Sequence, residues 1–136
     1  MKKTNNYRVL AQKWFDKAEN DFRYAEVGLR ESYVFPQVAF LAQQVAEKYL
    51  KGFLVLNGKE PPRTHILPSL LKQCIVFAPE LADCTETCGF LTHFYTETRY
   101  PGDDIPDPNR EEIQKAFDAA QEVKERIEKL TNLTRT

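Results

Sequence analysis

Between residues 35 and 57 the chain reads FPQVAFLAQQVAEKYLKGFLVLN. At about 100° per residue its apolar positions cover most of a helix circumference. Val38, Ala39, Leu41, Ala42, Val45, Ala46, Tyr49, Leu50, Phe53 and Leu56 spread so widely that this helix is expected to be central, packed on several sides. The polar residues are gathered instead: Gln37, Gln44, Glu47, Lys48 and Lys51 fall within roughly 60° of one line. A polar stripe on an otherwise buried helix either faces solvent or lines a cleft. Gly58, directly after the run, suits the left-handed position that closes a helix.

Further runs carry the same period. Leu10, Trp14, Ala18, Phe22, Ala25 and Leu29 predict an amphipathic helix over 10–30. After the Pro61-Pro62 loop, Thr64 is the expected N-cap of a shorter helix reaching to about Phe77, with Pro68 in its first turn. Pro79 opens a fourth helix at about Glu80, with Leu81, Cys84, Cys88, Leu91 and Tyr95 at helical spacing. Gly89 weakens that helix by roughly 1 kcal/mol against Ala. RYPGDDIPDP, residues 99–108, is a loop by its prolines, glycine and aspartates. Asn109 then caps the last helix, with Glu112 at the capping-box position and an apolar stripe of Ile113, Phe117, Ala120, Val123, Ile127 and Leu130. TNLTRT is expected to fray. With no β-alternation of useful length, the pattern predicts one all-α domain with its core at about 8–130. The expected form is an antiparallel up-and-down bundle of four long helices and one short.

Charge narrows the function classes. Nineteen Lys and Arg stand against 20 Asp and Glu, a net of −1, which argues against a general electrostatic grip on nucleic acid while leaving room for a local basic pocket. No apolar run approaches the ~18 residues of a membrane span. The opening MKKTNNYR leads into no signal-peptide core, so a cytoplasmic location is expected. Cys74, Cys84 and Cys88 make no even disulfide framework. Cys84 and Cys88 share a helix face with His93 downstream, but no second ligand pair accompanies them, and buried thiols are ordinary core fillers. No metal and no cofactor are expected.

Candidate chemistry lies on the stripe. Gln44, Glu47, Lys48 and Lys51 sit at i, i+3, i+4 and i+7, so their side chains are neighbours. They form either a solvated face laced by a Glu47–Lys51 pair or a site where Lys48 and Lys51 offer ammonium donors to an anion such as phosphate, with Glu47 orienting them. His65 follows the expected cap of a helix, where backbone N–H groups favour an anion. The same position also suits a capping or packing histidine. Arg99-Tyr100-Pro101 follows the fourth helix, where Arg99 either satisfies terminal carbonyls or reaches a ligand and Tyr100 either packs or stacks.

Together, QxxEKxLK on the central helix (Gln44, Glu47, Lys48, Leu50, Lys51), then Thr64-His65, then Arg99-Tyr100-Pro101 resemble the HEPN domain family. Trp14, Ala18, Ala25, Tyr33 and Phe40 extend the resemblance over nearly the whole chain. It implies an all-α bundle similar to the helical domain of kanamycin nucleotidyltransferase, frequently a homodimer, and cytoplasmic. Small members of the family often work beside a minimal nucleotidyltransferase as a toxin–antitoxin pair. Nucleotide binding in a polar cleft has been proposed for the group, which places Gln44, Glu47, Lys48, Lys51, His65, Arg99 and Tyr100 at that cleft. Other members are metal-independent ribonucleases with an arginine four to six residues before a histidine. Here Arg99 is followed, after four, five and six intervening residues, by Asp104, Ile105 and Pro106, and Arg63 lies only two before His65. The expected function is therefore a nucleotide-binding partner with no catalytic residue assigned. The alternatives are a ribonuclease using Arg99 with His65 and a purely structural dimeric interaction protein.

Overall fold

The computed structural model describes residues 2–31, 35–95 and 108–132. The expected sites Arg99 and Tyr100, most of the 99–108 loop and Tyr33 lie outside these described residues. Helix α1 spans Lys2–Glu31, α2 Phe35–Leu56, α3 Leu67–Ile75, α4 Thr85–Leu91 and α5 Arg110–Thr131, with 3-10 turns at Pro79–Cys84 and Thr92–Phe94. No strand occurs among the described residues. Helix α2 is the hub, packed against α1, α3 and α5, and this is why its apolar residues ring it. Val38, Ala42, Val45, Ala46, Tyr49, Leu50 and Leu54 are all fully buried.

The caps follow local chemistry. Gly58 has φ +78°, its N–H donates to the Val55 carbonyl and the Lys59 N–H to that of Leu54, a paired closure of α2 that leaves few carbonyls bare. At α5 the Asn109 side chain accepts from the Glu112 N–H (2.8 Å) while Glu112 accepts from the Asn109 N–H (3.2 Å). Of the stripe expected on α5, Ile113, Phe117, Ala120, Val123 and Ile127 are buried, whereas Leu130 is exposed.

Several boundaries differ from the pattern, each for a physical reason. Helix α1 begins about two turns earlier than residue 10, and its buried face is Ala11, Phe15, Ala18 and Ala25, with Leu10 left exposed. The polar opening residues are adequate helix formers, so the run of apolar positions understated its length. Thr64 is not the cap of α3. A helix starting there would ask Pro68 for its first intrahelical N–H bond, which proline lacks. Ile66 caps instead, and the Thr64 hydroxyl accepts from the Ile66 N–H at 3.1 Å. The helix also stops at Ile75, with Val76 and Phe77 in a turn. The fourth apolar run is divided into a 3-10 turn, α4 and a second 3-10 turn. At the first junction the Thr85 N–H and its hydroxyl both reach the Ala82 carbonyl three residues back, which holds the tighter winding.

Candidate functional site

Gln37, at the start of the stripe on α2, is exposed, but from Gln44 onward the stripe turns into the protein. Glu47 is only 4% exposed, and its carboxylate is the acceptor around which the other groups gather. Lys51, one turn on, donates from Nζ to Oε2 at 3.0 Å. His65, arriving from the loop between α2 and α3, places Nδ1 at 3.0 Å from Oε1 and 3.2 Å from Oε2. Gln43 and Gln44 donate to Oε1 at 3.2 and 3.3 Å. A carboxylate this deep needs such a shell, because each unmade hydrogen bond to a charged group costs more than one to a neutral group.

Gln43 escaped the sequence reading. It lies beside the polar stripe on the apolar side of the helix and is fully buried. Its Nε2 also donates to the His65 carbonyl at 3.0 Å, and its Oε1 accepts from Gln44 Nε2 at 2.7 Å. A glutamine inside an apolar arc must find partners, and that requirement was the available signal. Thr92 completes the anchorage: its hydroxyl donates to the His65 carbonyl (3.5 Å) and accepts from the Leu67 N–H (3.0 Å). This hydroxyl satisfies one of the amides at the start of α3, and the His65 ring turns to Glu47. The ring stacks on Tyr95, 3.9 Å between centroids and 14° between planes, and Tyr95 in turn packs on Phe40 at 6.0 Å.

Lys48 does not join this cluster. It forms an ion pair with Asp21 of α1, with both side chains largely buried. Of the expected site residues, the structure therefore brings together Gln44, Glu47, Lys51 and His65 and sends Lys48 to α1.

Lys51 has a second environment. Its Nζ lies 5.7 Å from the centroid of the Trp14 ring, and both residues line a cleft of about 640 Å³ between the start of α1 and the chain leaving α2. Tyr7 and Leu10 from α1 and Val55 from α2 form apolar wall, while Lys59, Glu60, Pro61, Pro62 and Arg63 form the rim. Gly58 makes this rim possible. Its positive φ turns the chain back, and a Cβ there would lie 3.1 Å from the Tyr7 ring. Three cations, Lys51, Lys59 and Arg63, face one carboxylate, Glu60. Lys59 and Arg63 were also absent from the expected site. Their signal was two basic residues bracketing a stiff Pro-Pro pair just past a helix end.

Elsewhere, polar burial serves packing. Glu19 of α1 accepts from the Tyr49 hydroxyl (3.1 Å) and pairs with Lys124 of α5 (3.4 Å), which also pairs with Glu128 (2.9 Å). Burial, reinforced by Glu19, pushes the Tyr49 phenol well above its ordinary range. The three thiols are buried and free, and desolvation raises Cys74 and Cys88 to about 12 and Cys84 to about 11. Among the described residues no His, Cys, Asp and Glu cluster is placed to hold a metal ion, and no helix is long and apolar enough to cross a membrane.

Comparison with known proteins agrees with this architecture. TT1696 from Thermus thermophilus, a solved structure, superposes with a TM-score of 0.74 at 30% identity, covering 88% of this chain and 96% of that one. ST0689, described as an archaeal HEPN homologue, gives a TM-score of 0.71 at 26% identity with the same coverages. No curated protein matches the chain. Residues 11–130 match the HEPN domain, which is most of the sequence, and the protein accordingly belongs to the HEPN domain family.

Proposed function

We propose that this protein is a binding module that holds a nucleotide or similar phosphate-bearing ligand in the cleft beside Lys51, and that it acts as a homodimer with a minimal nucleotidyltransferase as partner. The observation that carries the ligand reading is the lining of the cleft, where aromatic faces from Tyr7 and Trp14 lie next to the cations Lys51, Lys59 and Arg63. A volume of about 640 Å³ falls within the usual range for small-molecule sites. Lys51 keeps further N–H donors beyond the one given to Glu47, and its ammonium is held in place before any ligand arrives. Arg63 adds a fork suited to phosphate, and the rings offer stacking to a base. The partner and the dimer are supported by the family resemblance.

Isothermal titration calorimetry with ATP and GTP tests the ligand reading. Binding heat is expected with the native chain and at least tenfold weaker affinity with Lys59→Ala or Arg63→Ala. Absence of heat, or equal affinity in these exposed-rim variants, overturns it. Co-expression with a minimal nucleotidyltransferase, followed by size-exclusion chromatography with light scattering, tests the partner. Separate elution overturns that part.

A specific observation also favours a second reading, acid–base chemistry on RNA. Glu47 fixes His65 through Nδ1, and Nε2 has no hydrogen-bond partner among the described residues. A carboxylate-oriented imidazole with a free nitrogen is a competent proton acceptor. RNA cleavage on a gel that disappears in His65→Ala would place this reading above the first.

A further inference from the structure

We propose that anion occupancy of the cleft is coupled to protonation of His65, through the Glu47 carboxylate that His65 and Lys51 share; this rests on the reading of the cleft given above. The two cationic groups do not touch one another in this arrangement. Lys51 holds Oε2 at 3.0 Å and His65 holds Oε1 at 3.0 Å, so each senses the other through one carboxylate. That carboxylate is 6% exposed, so water contributes little to its charge balance. With neutral His65, Lys51 is the cation bonded to it among the described residues, and Gln43 and Gln44 supply neutral donors only.

A phosphate in the cleft draws on the same ammonium. It shares the Lys51 charge and adds negative potential close to Glu47, which leaves a buried carboxylate under-compensated. His65 is the group placed to restore the balance. Nδ1–H donates to Glu47 in the neutral ring, and the added proton goes to Nε2 from solvent, which the 44% exposed side chain can reach. Tyr95 stacks on the ring, Thr92 and Gln43 bond the His65 backbone carbonyl, and Arg63 lies two residues earlier on the cleft rim. A bound anion beside Lys51 also adds negative potential that favours a positive charge on the ring. All terms have one sign: binding takes up a proton, and affinity tightens as pH falls through the imidazole range.

The test uses the full chain and ATP. Proton NMR follows the ring resonances of both histidines across pH with and without saturating ATP, with exposed His93 as internal reference. The His65 midpoint is expected to rise by about 0.7 pH unit, a fivefold gain in proton affinity at the low end of ordinary coupling between sites. Calorimetry at pH 6 and pH 8 should show a matching tightening toward low pH, approaching but not exceeding fivefold, beyond that of His65→Asn, whose amide keeps a donor for Glu47 and does not titrate. Tight ATP binding with an unmoved His65 midpoint overturns the coupling and leaves the cleft reading standing. No binding at either pH overturns both.

Discussion

Removing the charge from Glu47 is the sharpest test of how this site is held. Glu47→Gln keeps the shape and some hydrogen bonds but leaves the Lys51 ammonium, 9% exposed in its side chain, without a counter-charge. Breaking a buried pair from one side costs about 3–5 kcal/mol. Lys51 borders an open cleft, where water reaches in, so the lower figure applies and a loss of about 3 kcal/mol is expected. Lys51→Met is milder, about 1–2 kcal/mol, because Glu47 retains three other partners in Gln43, Gln44 and His65. The double variant removes both charges and should cost no more than Glu47→Gln alone, which is a large coupling for adjacent residues. Urea unfolding followed by circular dichroism measures all three, and fluorescence of Trp14, the single tryptophan, reports on the cleft itself. Additive losses, or a Glu47→Gln protein as stable as the native chain, would refute the view that this carboxylate organises the site.

Two glycines on helices should respond in opposite directions to alanine. At Gly52 a Cβ would stand 2.6 Å from a Phe15 ring carbon and 3.0 Å from Trp14 Cβ, and Phe15 is buried and stacked on Tyr49, so overpacking of about 2–3 kcal/mol outweighs the roughly 1 kcal/mol helix gain. At Gly89 nothing lies within 4 Å, and the same change should raise the melting temperature by a few degrees, about 0.5–1 kcal/mol. The buried thiols set an alkaline limit. Their folded pKa values of about 11 to 12 exceed the ordinary value near 9, so the folded state binds protons more tightly. Their contribution is complete below pH 9 and is lost as pH rises toward 12. The urea midpoint should therefore fall between pH 8 and pH 10, and Cys74→Ala should reduce the fall.

Sequence alone determined the all-helical class and the order of the helical segments, though not all their bounds, because apolar period, caps and prolines act over a few residues. The N-cap of Asn109, the reversal at Gly58 and the burial of 38–55 on several sides were legible for that reason. It also singled out Glu47, Lys51 and His65 as candidate site residues. It did not decide their partners. The stripe is equally a solvent face or a lined hollow until another segment is laid against it, and only the docked 64–66 segment and α1 made it the latter. The same docking sent Lys48 to Asp21, brought Trp14 and Tyr7 beside Lys51, and made the KEPPR turn a basic rim. These are long-range pairings between residues tens of positions apart. Helical periodicity carries no record of them, since it fixes which side a residue faces on its own helix and not what the neighbouring helix presents there.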